Sequence, residues 1–189
     1  RSLVALLGPA TAGLFVAGTY KTFGGGYFDS DRYLAAVGSA SSAANLLGRV
    51  AWGALSDRAG WRASLAALSA AATCLLLTYA AVARARSRAL FALWTCGILF
   101  CYGGNFALYP AATAHLFGRA RAGLNYGAVF LVYGSGSARC LFLLASLSAS
   151  PALNYVLAGV QGFGTLAVLA LASCAPRSAE EPRSLGGSS

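Results

Sequence analysis

The stretch 63–83, ASLAALSAAATCLLLTYAAVA, contains no charged residue and is closed by Arg62 on one side and Arg84 on the other. As a helix it would be roughly 30 Å long, which is the thickness of the hydrocarbon core of a bilayer. A membrane β-strand would alternate apolar and polar residues, and this stretch does not. It reads as a helix that spans a membrane.

Working outward, apolar blocks of similar length recur at 3–20, 33–55, 89–114, 124–147 and 152–174. Gly8-Pro9 breaks the first block, and Gly103-Gly104 and Pro110 interrupt the fourth. The whole chain is 58% hydrophobic and 10% charged. Soluble domains carry about 25% charge, so too few charged groups are present to cover a water-facing surface. The expectation is an all-α membrane protein, with a six-helix bundle over 1–175 and a polar, disordered tail over 176–189. The chain opens at Arg1 directly into an apolar block, which suggests truncation upstream rather than a signal peptide. Ala36, Ala40, Ala44 and Gly48 recur every four residues and lay a smooth packing strip along the second block.

The net charge of +9 comes mainly from cations between blocks, not from a basic face, which argues against nucleic acid as a partner. Cys74, Cys96, Cys101, Cys140 and Cys174 lie inside apolar blocks without metal-ligand spacing, and read as packing residues. Neither a nucleophile–base pair nor a phosphate loop appears, so the reading is not an enzyme, with no metal and no cofactor. The cation distribution places the start of the first block inside by a thin excess, against which Arg84, Arg86 and Arg88 count.

Two cations fall within blocks. Arg49 shares one side of the second block with Ser41, Ser42 and Asn45, a polar stripe of the kind that lines a watery path. Arg139 lies in the fifth block, one turn beyond Ser135. Snorkelling to headgroups competes with a ligand role for both. No Asp or Glu lies in any block, so an anionic ligand would be the natural counter-charge, and guanidinium matches a carboxylate in two-point geometry. Tyr102, Asn105 and Tyr109 form a polar-aromatic stripe in the fourth block, bracketed by Gly103-Gly104 and Pro110, where a broken helix could host a binding site. His115, at the end of that block, reads as a headgroup-level histidine, and Gln161 carries no signal.

After the second block comes Gly53-Ala54-Leu55-Ser56-Asp57-Arg58-Ala59-Gly60-Trp61-Arg62. It resembles the signature loop of the major facilitator superfamily, with Gly53, Asp57, Arg58, Gly60 and Arg62 in the matching places and Trp61 replacing a basic residue. The run from Gly103 to Thr113, then Leu116-Phe117-Gly118 and Asn125-Tyr126-Gly127, is similar to the oxalate:formate antiporter and monocarboxylate transporter branch. The resemblance implies the carboxy-terminal half of such a transporter, helices seven to twelve, partnered by a missing amino-terminal half. It also implies that Arg49 binds a substrate carboxylate and that Arg139 supplies a second charge. The function expected is transport of a small monocarboxylate or dicarboxylate across a lipid bilayer, by antiport or proton symport. A plasma membrane is favoured over an organelle. The alternative is a non-transporting polytopic protein, a truncated product acting as scaffold or subunit.

Overall fold

The computed structural model describes residues 2–117 together with 123, 124, 126, 127 and 131. Four helices follow one another, α1 (Ser2–Gly25), α2 (Asp31–Ala59), α3 (Trp61–Arg84) and α4 (Arg88–Phe117). The all-α class holds, but a six-helix half is not what the described residues form. The expected span 152–174, nearly all of 124–147, Arg139 and the tail 176–189 lie outside them. By length and composition α3 and α4 can cross a membrane. α2 does not pass the same test, because Ser39, Ser41, Ser42, Asn45 and Arg49 dilute its apolar surface.

The turns between helices explain where each one stops. Ser30 caps α2, its hydroxyl accepting from the Tyr33 amide at 3.3 Å, and Asp31 adds a negative charge in the first turn. At its other end α2 runs straight through the expected 53–62 loop and remains helical to Ala59. Only Gly60 separates it from α3. This glycine sits at φ 82°, where a side chain would be strained, and its amide still reaches the Ser56 carbonyl at 3.0 Å. The loop expected from the sequence is therefore a one-residue joint.

α4 is the axis of the bundle and packs on the other three helices. The Tyr33 hydroxyl donates to the Arg88 carbonyl, which ties together the starting ends of α2 and α4 and fixes them as parallel neighbours. Their backbones meet closely. A methyl group on Gly48 would strike the Phe100 carbonyl, and one on Gly103 would strike the Asn45 carbonyl. Gly104 lies under Leu68 and Trp52. Thus Gly103-Gly104 does not interrupt α4, and neither does Pro110. A proline inside a helix removes one backbone bond, and contacts on three sides hold the helix together across that gap. The small-residue strip on α2 packs only in part, since Gly48 is buried and Ala44 half-buried while Ala36 and Ala40 are exposed.

Around this axis, Leu65, Leu68, Leu76, Phe91, Ile98 and Leu108 are almost fully buried. Tyr79 stacks on Phe91 and Phe23, with ring centroids 5.6 and 5.3 Å away. Its hydroxyl lies 3.2 Å from Thr95 Oγ1. Because Thr95 already donates to the Phe91 carbonyl, Tyr79 must be the donor in that pair.

Replacing Gly103 by Ala should cost about 1–3 kcal/mol, the usual penalty for forcing a methyl into a closed contact. Gly25 has open space around its α-carbon, so Gly25→Ala is the matched control. Thermal midpoints in detergent should fall for the first variant and stay for the second; equal midpoints would show that the α2–α4 approach is not tight.

Candidate functional site

Arg49 lies on α2 directly after the buried Gly48, and its side chain is exposed. The guanidinium carbon stands 4.7 Å from the centre of the Phe106 ring on α4. This placement follows from the helix crossing: Gly48 and Gly103 draw the two backbones together, and Phe106 projects one turn beyond Gly103. An aromatic face attracts a guanidinium and restrains its side chain. Asn45 is half-buried one turn earlier, with its backbone against Gly103. The half-buried Tyr126 lies within electrostatic reach of Arg49.

The stripe Tyr102, Asn105 and Tyr109 is buried inside the bundle. Tyr102 packs toward α1, where its ring covers Gly13. It joins the Arg49 neighbourhood through Phe106, with ring centroids 5.1 Å apart and edge to face. Asn105 is 3% exposed, and its Oδ1 has no hydrogen-bond partner among the described residues. The polar stripe on α2 also divides. Ser41 and Ser42 both donate to the Gly38 carbonyl at 2.9 Å, and sit toward α1 rather than beside Phe106.

At the joint between α2 and α3, Gly53 touches Ala107, and Asp57 and Arg58 are exposed. Trp61 explains its own departure from the basic residue expected there. Its ring carries the Arg62 guanidinium at 5.2 Å and lies nearly parallel to His115 at 6.0 Å. These residues close the end of the bundle where α2, α3 and α4 meet. Their arrangement is one of packing.

Three residues near these sites were not singled out by sequence reasoning. Phe106 and Tyr126 look like ordinary apolar-block aromatics, and only the three-dimensional arrangement brings them near Arg49. Lys21 pairs with Asp31 at 2.8 Å across the α1–α2 turn. The hydrogen bond to Asp31 holds the Lys21 ammonium above the ordinary lysine range, just past the expected span 3–20. A signal for it was available, since it is the single lysine in a chain with thirteen arginines.

No protein-family model matches the chain. It is similar to apicoplast pyruvate carrier 1 of Toxoplasma gondii, 42% identical over 104 residues, which is 55% of this chain and 19% of that protein. It is also similar to apicoplast pyruvate carrier 2 of the same organism, 32% identical over 106 residues, 54% of this chain and 16% of that protein. The matched stretch thus spans less than a fifth of either relative. These proteins are carriers, not enzymes, and with α3 and α4 they make the chain a membrane protein.

The comparisons correct the assignment to the oxalate:formate antiporter and monocarboxylate transporter branch as a carboxy-terminal half, because the likeness found is to pyruvate carriers and no family model supports the branch. The physical reason is visible in the fold. The 53–62 segment is mostly helix, and Gly103 and Gly104 meet the needs of a close helix crossing that is not peculiar to one family. A missing amino-terminal half finds no support here either. Preference for a plasma membrane is likewise corrected, since both relatives are named for an organelle.

The contact between Arg49 and Phe106 should be measurable as a coupling energy. A double-mutant cycle with Arg49→Met and Phe106→Leu, read from unfolding in detergent, should give about 0.5–1 kcal/mol. Strict additivity would mean that the ring does not hold the guanidinium.

Proposed function

We propose that this chain forms part of a carrier for a small organic anion of the pyruvate class, and that Arg49 holds the carboxylate. The observation that carries this reading is an exposed guanidinium in the body of a helix, backed by an aromatic ring and paired with no carboxylate among the described residues. A cation in the body of a helix within a membrane bundle is costly unless water or a ligand reaches it. A carboxylate is the ligand that fits, because guanidinium offers two parallel N–H donors to its two oxygens. The similarity to two pyruvate carriers supports a three-carbon keto acid over a larger substrate.

Asn45 and Phe106 would frame the bound anion from α2 and α4. Tyr102, Asn105 and Tyr109 would shape the interior behind them. A second charge from Arg139 is part of the same proposal, and would favour a dicarboxylate if it faced the site. Exchange and proton symport both suit this chemistry. For exchange, an arginine left unneutralised in the empty site would hinder the return of an unloaded carrier. For symport, a carboxylate elsewhere in the protein would carry the proton.

In the intact protein, Arg49→Ala should lower pyruvate uptake by about ten-fold or more, the usual loss for one strong charge-assisted contact. Arg49→Lys keeps the charge but not the fork, and should retain a fraction of the activity. Surface or organelle-membrane abundance, measured in parallel, should not change. Uptake at the normal rate by Arg49→Ala would remove the arginine from the site.

A further inference from the structure

A cleft of about 530 Å³ opens between α1 and α2, away from the Phe106 ring. This is within the range of about 300–1,000 Å³ typical of small-molecule sites. Tyr20 and Lys21 line it from α1, Gly38, Ser39 and Ser42 from α2, and Leu99 of α4 forms part of its floor. A second, shallow depression of about 520 Å³ shares Lys21 and is lined by both acids of the turn, Asp29 and Asp31. The lysine therefore borders two open depressions in the surface. Among the described residues the first is lined by the cation and hydroxyl groups without a carboxylate, and the second adds the two carboxylates to the same cation.

We propose that the α1–α2 cleft is a first station for a small carboxylate, which Lys21 takes up in exchange for Asp31 and passes along α2 to Arg49. The proposal rests on the anion-carrier reading above. Four observations support it. The bond from Lys21 to Asp31 at 2.8 Å shows that this ammonium can hold a carboxylate in its present position. Asp31 is 81% exposed, so it can leave without uncovering any core. Tyr20 lays its hydroxyl against Gly38 and supplies a second polar atom beside the cation. Ser42 and Arg49 are seven residues apart on one helix, about two turns, and so lie on the same face.

The choice of lysine over arginine also fits. Every other fixed cation in the chain is arginine. An arginine would grip a carboxylate with two bonds, whereas a lysine offers a mobile point charge on a flexible stem. A station that must release its ligand to a stronger neighbour needs the weaker hold. Ser39 and Ser42 donate to the Ala35 and Gly38 carbonyls of their own helix. Their lone pairs are left to accept from water, which keeps the cleft hydrated as the anion enters.

The test uses the intact protein in vesicles, with Lys21→Gln and Asp31→Asn as the two variants. Lys21→Gln should raise the KM for pyruvate roughly ten-fold with a much smaller change in maximal rate, the loss of one charge-assisted contact. Asp31→Asn frees the lysine and should lower KM. A second readout is protection of Lys21 by pyruvate from an amine-reactive reagent, scored by peptide mass spectrometry. Protection should persist in the transport-deficient Arg49→Ala variant, because the cleft does not include Arg49. Equal KM shifts in both variants, or none, together with no protection of Lys21, would overturn the station while leaving an Arg49-dependent carrier intact. Absence of pyruvate uptake by the unaltered protein would instead remove the carrier reading, and the transfer step with it.

Discussion

The close passage of α2 and α4 is the constraint on which the other features depend. In lipid, apolar side chains gain little by leaving the solvent, so helices adhere through short-range contact and must bring their backbones near each other. Gly48 facing the Phe100 carbonyl and Gly103 facing the Asn45 carbonyl achieve this. Bulkier residues at either position would part the helices. With the crossing in place, Phe106 arrives under Arg49, Asn45 is pinned by its own backbone, and α4 becomes the column on which α1 and α3 also lean.

This geometry gives the chain two faces of different chemistry. Toward α3, contacts are aliphatic and aromatic, and the buried hydroxyls of Tyr79 and Thr95 satisfy each other and the helix backbone. Toward α1 and the surface of α2, serines, Asn45, Arg49 and Lys21 form a discontinuous polar track. The same helix thus serves as a packing partner along one edge and presents polar side chains along the other. The lower apolarity of α2 relative to α3 and α4 is the sequence-level trace of that division.

Much of the fold could be read from residue pattern, and the failures have definite causes. Block length and the lack of charge located all four helices to within a few residues, except that α1 extends five residues past Tyr20. Gly103-Gly104 and Pro110 suggested a break, because propensity is a local quantity and cannot count the three neighbours that stabilise α4. The Asp57-Arg58 segment suggested a loop for a related reason, since charged residues at a helix end resemble a turn until the position of the glycine is known. At the candidate site, Arg49 stood out in the sequence because a cation among apolar residues is anomalous in itself. Phe106 did not, since its role exists only across an interface between helices distant in sequence. Lys21 was visible as a composition anomaly, but the cleft it borders is one that no periodicity reveals.

Gly60 has a mechanical consequence. A joint of one residue leaves α2 and α3 no slack, so neither can slide lengthwise past the other by more than a fraction of a turn. Relative motion of the two helices is then a swing about that vertex, like the arms of a yoke, rather than a slide. The Trp61 indole, wedged between Arg62 and His115, sits at that fulcrum. Displacement at the open arms of the yoke is then transmitted as rotation, with the polar track of α2 carried on one arm.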